Sequence, residues 1–149
     1  MTDIDKLEAG RELDALVAEK VMGLRYCEPG LAIDVATGAE KTIPPTWMRF
    51  KEMDGHMPVY DPCDLPKYST EIGAAWEVVE HVRRMHPARV WFELYAPRGD
   101  LPWTAVFFTR CLEWEDSMYE MGSDRIIPSS GKEAPLAICR AALKVVGVK

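Results

Sequence analysis

Three segments of this chain repeat their apolar residues at helical spacing, and they stand at its start, its middle and its end. Between them run shorter stretches whose apolar residues alternate or cluster, broken by glycine and proline. That order admits few folds, because a helix with one apolar stripe must bury it against a sheet or another helix. In "GRELDALVAEKVMG" the stripe is Leu13, Leu16, Val17, Lys20 and Val21, with the Lys20 stem able to lie along its edge. Glu12 and Asp14 complement the dipole of the first turn, and Gly23 supplies a left-handed stop. In "PKYSTEIGAAWEVVEHVRR" the stripe is Ile72, Ala75, Trp76, Val79 and Val82. Ser69 or Thr70 is its natural N-cap, and Met85-His86-Pro87 ends it. In "APLAICRAALKVVG" Leu136, Cys139, Leu143 and Val146 form a stripe that Ile138, Ala142 and Val145 widen.

The intervening runs read as strands. "ARVWFELYAP" alternates, with Val90, Phe92 and Leu94 on one face and Trp91, Glu93 and Tyr95 on the other. "TAVFFTRCLEW" is apolar on both faces, the pattern of a central strand covered on both sides. A third strand is expected to include "SMYEM", followed by "GSDRIIPSSGKEA" as a polar connector. Earlier, Pro29, Gly30, Gly38, Pro44 and Pro45 exclude a long helix over 28–46. Asp54-Gly55 predicts a hairpin between strands at 47–52 and 57–60. The expected fold is α+β: an α/β/α-type sandwich with one mainly antiparallel sheet of about four or five strands and three main helices. The 149 residues suit a single domain, 1–149, with an irregular excursion at about 24–66.

Charge and cysteine spacing exclude several functions. A net charge of −6 argues against non-specific binding to bulk nucleic acid, which needs clustered Lys and Arg. Cys27, Cys63, Cys111 and Cys139 form no CxxC pair, which weakens both a zinc site and a redox motif. The acidic start "MTDIDKLEAGRELDAL" lacks a signal peptide's apolar core, and no apolar run reaches the roughly 18 residues of a membrane span. A cytoplasmic protein with reduced thiols and no membrane association is therefore expected. GxSxG, HExxH, Walker A and GxGxxG are all missing. His81 and His86 stand five apart, off a common helical face, and His56 follows a turn glycine, so no metal site is expected. Glu113, Glu115, Asp116 and Glu120 read as a charged strand edge that discourages aggregation.

Taken together, "LDALVAEKVMG", "YSTEIGAAWEVVE" and "APLAICRAAL" resemble the bacteriophage ABA sandwich domain, in the order that family presents them. The family's name describes helix layers on either side of a β-sheet. The resemblance implies a phage or prophage accessory protein acting in the cytoplasm of a host bacterium. It brings no agreed activity, cofactor or catalytic residue.

Binding is the class of function that the residues favour. The N-terminus of the middle helix, with Ser69 and Thr70, could accept a phosphate or carboxylate, Lys67 adding charge and Tyr68 a stacking face. Trp47, Arg49, Trp103 and Arg125 lie outside the helical stripes, and tryptophan with arginine suits a planar anion: the ring stacks and the guanidinium grips phosphate. Trp76 and Trp91 are assigned to packing, and Arg140 to an edge or a buried pair. The leading expectation is a non-enzymatic accessory protein that binds and sequesters a small anionic, nucleotide-like signal of host antiviral immunity. Homo-oligomerisation would help by building sites between subunits. The alternatives are a module that inhibits or adapts a host protein, and an enzyme with an unrecognised active site.

Overall fold

The computed structural model describes residues 3–33, 36–51, 59–85, 90–110 and 124–148. A one-turn 3-10 helix (Ile4–Lys6) and α1 (Arg11–Lys20) come first. β1 (Arg25–Cys27), β2 (Gly30–Ile33), β3 (Glu40–Ile43), β4 (Thr46–Lys51) and β5 (Val59–Cys63) follow. α2 (Ile72–Met85), β6 (Val90–Tyr95), β7 (Trp103–Arg110), β8 (Asp124–Gly131) and α3 (Ala134–Val145) complete the order. The chain divides into two compact units: Gly23–Leu65 forms one, and Met1–Met22 with Pro66–Lys149 the other.

In the unit that holds all three helices, β6, β7 and β8 make an antiparallel meander with β7 in the centre. One register row, Phe92, Phe107 and Ile127, marks the face turned to the helices. Phe107 is fully buried, its ring 4.9 Å from that of Phe92, which meets Trp76 of α2 edge-on at 5.8 Å. α3 lies against β7 and β8 and touches α1 and α2 as well. It is therefore buried almost all round, with every residue from Ala134 to Cys139 inside, as expected of an apolar helix packed between neighbours. Gly131 permits the close junction of β8 and α3: a Cβ there would stand 2.8 Å from the Ala137 nitrogen and 2.9 Å from Leu136 Cγ.

Polar side chains stitch this unit together. Asp14 is buried and accepts the Ser69 backbone N–H at 2.6 Å, while Ser69 Oγ accepts the Gly10 N–H at 2.9 Å. Gly10, at φ +149°, turns the chain into α1 in a conformation that side chains rarely adopt. Arg140 is half-buried and paired: its Nε donates to the Leu7 carbonyl at 3.0 Å and its Nη1 to the Ser130 carbonyl at 2.8 Å. Lys144 Nζ meets Asp5 at 2.7 Å, and Ser129 Oγ donates to Asp5 at 3.1 Å. Those bonds hold the N-terminal turn on β8 and α3, and Lys144 keeps the Asp5 carboxyl below its ordinary range.

In the other unit β1, β4 and β5 form a second three-stranded antiparallel sheet, and β2 and β3 form a separate hairpin between β1 and β4 in sequence. The α+β class and three main helices stand, and every described strand pair is antiparallel. Among the described residues the strands form two sheets of three and a hairpin, in place of the expected single sheet of four or five strands. Within the excursion expected at 24–66, the described strands pair with one another.

Two local expectations change as well, and a third group is not described. Residues 124–131, read as a polar connector, form β8, because pairing with β7 overrides turn-like composition, and Pro128 is tolerated on an edge strand. The expected strand at "SMYEM", the acidic group at 113–120, Cys111, His56 and His86 lie outside the described residues. α2 begins at Ile72, so Glu71 and not Ser69 or Thr70 immediately precedes it. The residues before it form a turn in which Thr70 N–H and Glu71 N–H both donate to the Lys67 carbonyl.

Candidate ligand-binding face

The sheet of Gly23–Leu65 presents an aromatic and cationic face. Tyr26 on β1 and Trp47 on β4 are register partners, with ring centroids 5.4 Å apart and planes inclined at 58°. Trp47 is half-buried, whereas Tyr26 is 50% exposed. Arg49 stands two residues further along β4, so strand alternation puts it on the same face, about 7 Å from Trp47 along the strand. Its side chain is exposed. Cys63 on β5 is the register partner of Trp47 and is half-buried. Burial pushes its thiol up, and the positive charge of Arg49 opposes that rise. Chemically the face offers a ring surface, a guanidinium and a partly dry floor.

The other candidate residues do not gather. Tyr68 and Ser69 are fully buried, and Ser69 is committed to Asp14 and Gly10, so neither presents a side chain to a ligand. Thr70 is exposed, and Lys67, also exposed, pairs with Glu71 at 3.5 Å. Trp103 is half-buried opposite Gly131, at one end of the β7–β8 ladder. Arg125 pairs with Thr109, six residues along and about 20 Å away at the backbone. Trp91, expected in the core, stands on the outer face of β6 and is 46% exposed. Trp76 touches Phe92 with one edge but is 47% exposed. His81 is half-buried; burial and the neighbouring Arg84 push its imidazole below the usual range, and a bond to the Val21 backbone opposes them.

The family model for the phage ABA sandwich domain matches residues 15–143. The chain belongs to this family. The match runs from within α1 to within α3 and takes in the sheet of Gly23–Leu65 as well, so the aromatic face lies within the family's extent. It supports the coarse statement that this ABA sandwich protein is a phage accessory protein. Comparison with curated proteins finds no match, and neither does comparison with solved structures. Among the described residues no helix is long and apolar enough to cross a membrane, and no group of three His, Cys, Asp or Glu could hold a metal.

One concavity lies in the other unit, where the turn between β6 and β7 rims an open hollow of about 880 Å³ lined by Tyr95, Arg98, Leu101, Thr104 and Ser130 among others. The Tyr95 hydroxyl there bonds Glu93, and the Thr104 and Ser130 hydroxyls lie 3.4 Å apart. The Tyr26–Trp47–Arg49 face has stronger chemistry. Tyr26 escaped the sequence reading because β1 has only three residues, too few for a period to show.

Proposed function

We propose that this phage ABA sandwich protein binds and sequesters a small anionic, nucleotide-like signal of host antiviral immunity, in the host cytoplasm and without converting it. What carries the reading is the Tyr26–Trp47 ring pair with Arg49 beside it on one strand face. An aromatic face accepts the π-surface of a base, and a guanidinium accepts phosphate through paired N–H donors. Sequestration asks only for tight stoichiometric binding, which suits a site with a platform and a cation. Thermal-shift measurement of the purified chain against cyclic mono-, di- and trinucleotides and ADP-ribose isomers tests the reading. A bound compound is then released by heat and weighed by mass spectrometry. The expected result is a large shift with the compound recovered unchanged; an altered compound would mean an enzyme, and no shift at all would end the small-ligand reading.

A second reading, a protein-binding module directed at a host protein, is favoured by a different observation. On the outer face of the β6–β7–β8 sheet, Trp91, Phe108 and Ile126 form one register row, and Trp91 and Ile126 are exposed. Exposed apolar rows of this kind mark protein-binding surfaces. A host protein captured from infected cells by the wild type and lost with Trp91→Glu, at unchanged thermal midpoint, would support it. Loss by Arg49→Ala instead would point back to the other face.

A further inference from the structure

Resting on the small-ligand reading, the layout of the same face also narrows what the ligand is. We infer that the site takes one base and one phosphodiester charge per chain, the chemistry of a cyclic mononucleotide. The first argument is the number of platforms. Tyr26 and Trp47 do not make two parallel shelves: their planes meet at 58°, and Trp47 is half-buried against its neighbours. A flat base can lie on the exposed ring of Tyr26, and the tilted Trp47 then closes one side of that base as an edge. A second base has no ring left to cover it.

The second argument is distance. Arg49 is the diagonal neighbour of Tyr26 across the β1–β4 ladder, about 7–8 Å away at the backbone. That is about the span of one sugar, which lets the phosphate attached to the stacked nucleoside meet the guanidinium. The third argument is charge. Among the described side chains of this face, Tyr26, Trp47, Arg49 and Cys63, the cation is Arg49. One positive charge matches a monoanionic phosphodiester. A triphosphate would meet that single charge on a chain whose net charge is −6.

Isothermal titration of the full chain with adenosine and uridine 3′,5′-cyclic monophosphates, cyclic di-AMP, ATP and adenosine tests the inference. A cyclic mononucleotide is expected to bind tightest, at one per chain. Tyr26→Ala should weaken it about tenfold and Tyr26→Phe should retain it, since stacking needs only the ring. Arg49→Ala should weaken the cyclic mononucleotide while leaving adenosine unchanged, and a thermal midpoint near that of the wild type shows that each variant is folded. Cyclic di-AMP or ATP binding tightest at one per chain would overturn the single-base inference and leave the small-ligand reading standing. Nucleotide binding indifferent to both residues would overturn the site, and a panel with no binding would take down both.

Discussion

The two units of this protein differ in what their described polar side chains do. In the helical unit, charged and hydroxyl groups are tied inward: Asp14 accepts from the Ser69 backbone, Arg140 donates to two backbone carbonyls, and Lys144 and Ser129 share Asp5. In the Gly23–Leu65 unit the sheet leaves Tyr26 and Arg49 at the surface. A group already committed to holding the chain together is a poor ligand-binder, since an incoming ligand must replace the bond it breaks. The contrast teaches that the candidate site should be sought where polar and aromatic groups stand at the surface, which is not where the longest helices are.

The sharpest way to break this comparison is to remove a core ring from one unit and the platform ring from the other. Phe107→Ala should cost about 3–5 kcal/mol in urea unfolding, because a fully buried ring leaves a cavity. Trp47→Ala, at a half-buried position, should cost less than half of that; equal losses would mean the second sheet is as tightly packed as the first. Next comes Asp14→Ala, which strands the Ser69 N–H in the interior and should cost about 1–3 kcal/mol, whereas Asp14→Asn keeps an oxygen acceptor and should cost less. Gly131→Ala should also cost about 1–3 kcal/mol, because the added methyl runs into the backbone of α3. A neutral Gly131→Ala would show that the β8–α3 junction yields.

The smallest effect is the pH response of the Asp5–Lys144 pair. The folded Asp5 carboxyl is held below its unfolded value, so the pair's stabilisation is present above about pH 4 and disappears as pH falls through the lower folded value. Asp5 is largely exposed, so solvent keeps the contribution small. Lys144→Met should therefore lower stability slightly at pH 7 and leave it unchanged near pH 2, as chemical denaturation at the two pH values would reveal. A difference that persisted in acid would assign the role of Lys144 to packing of its stem.

Helix existence was legible because the apolar spacing in all three segments is local and strong. Which face each helix buries was less so. Asp14 and Ala18 are inside α1 beside Leu13 and Val17, and Ile72 and Trp76 of α2 are largely outside, because neighbouring elements and not periodicity alone set the final rotation. Strand β8 was hidden by its Pro128 and paired serines, since its pairing comes from β7 and not from its own composition. Of the candidate site, Trp47 and Arg49 were legible as residue types outside the helical stripes. Their common face follows from alternation once β4 is a strand, but Tyr26 joins them only through the β1–β4 register.

The sequence by itself determined the α+β class, the three helices, the phage ABA sandwich family and the two residues, Trp47 and Arg49, on which the ligand proposal rests. Those depend on spacing and residue type, which are carried by neighbours in the chain. Only the tertiary structure decided that the described strands form two sheets instead of one, that Ser69 and Tyr68 are buried, and that Tyr26 stands beside Trp47. Those depend on which distant backbone segments pair, and pairing is settled by hydrogen bonds and burial across the chain.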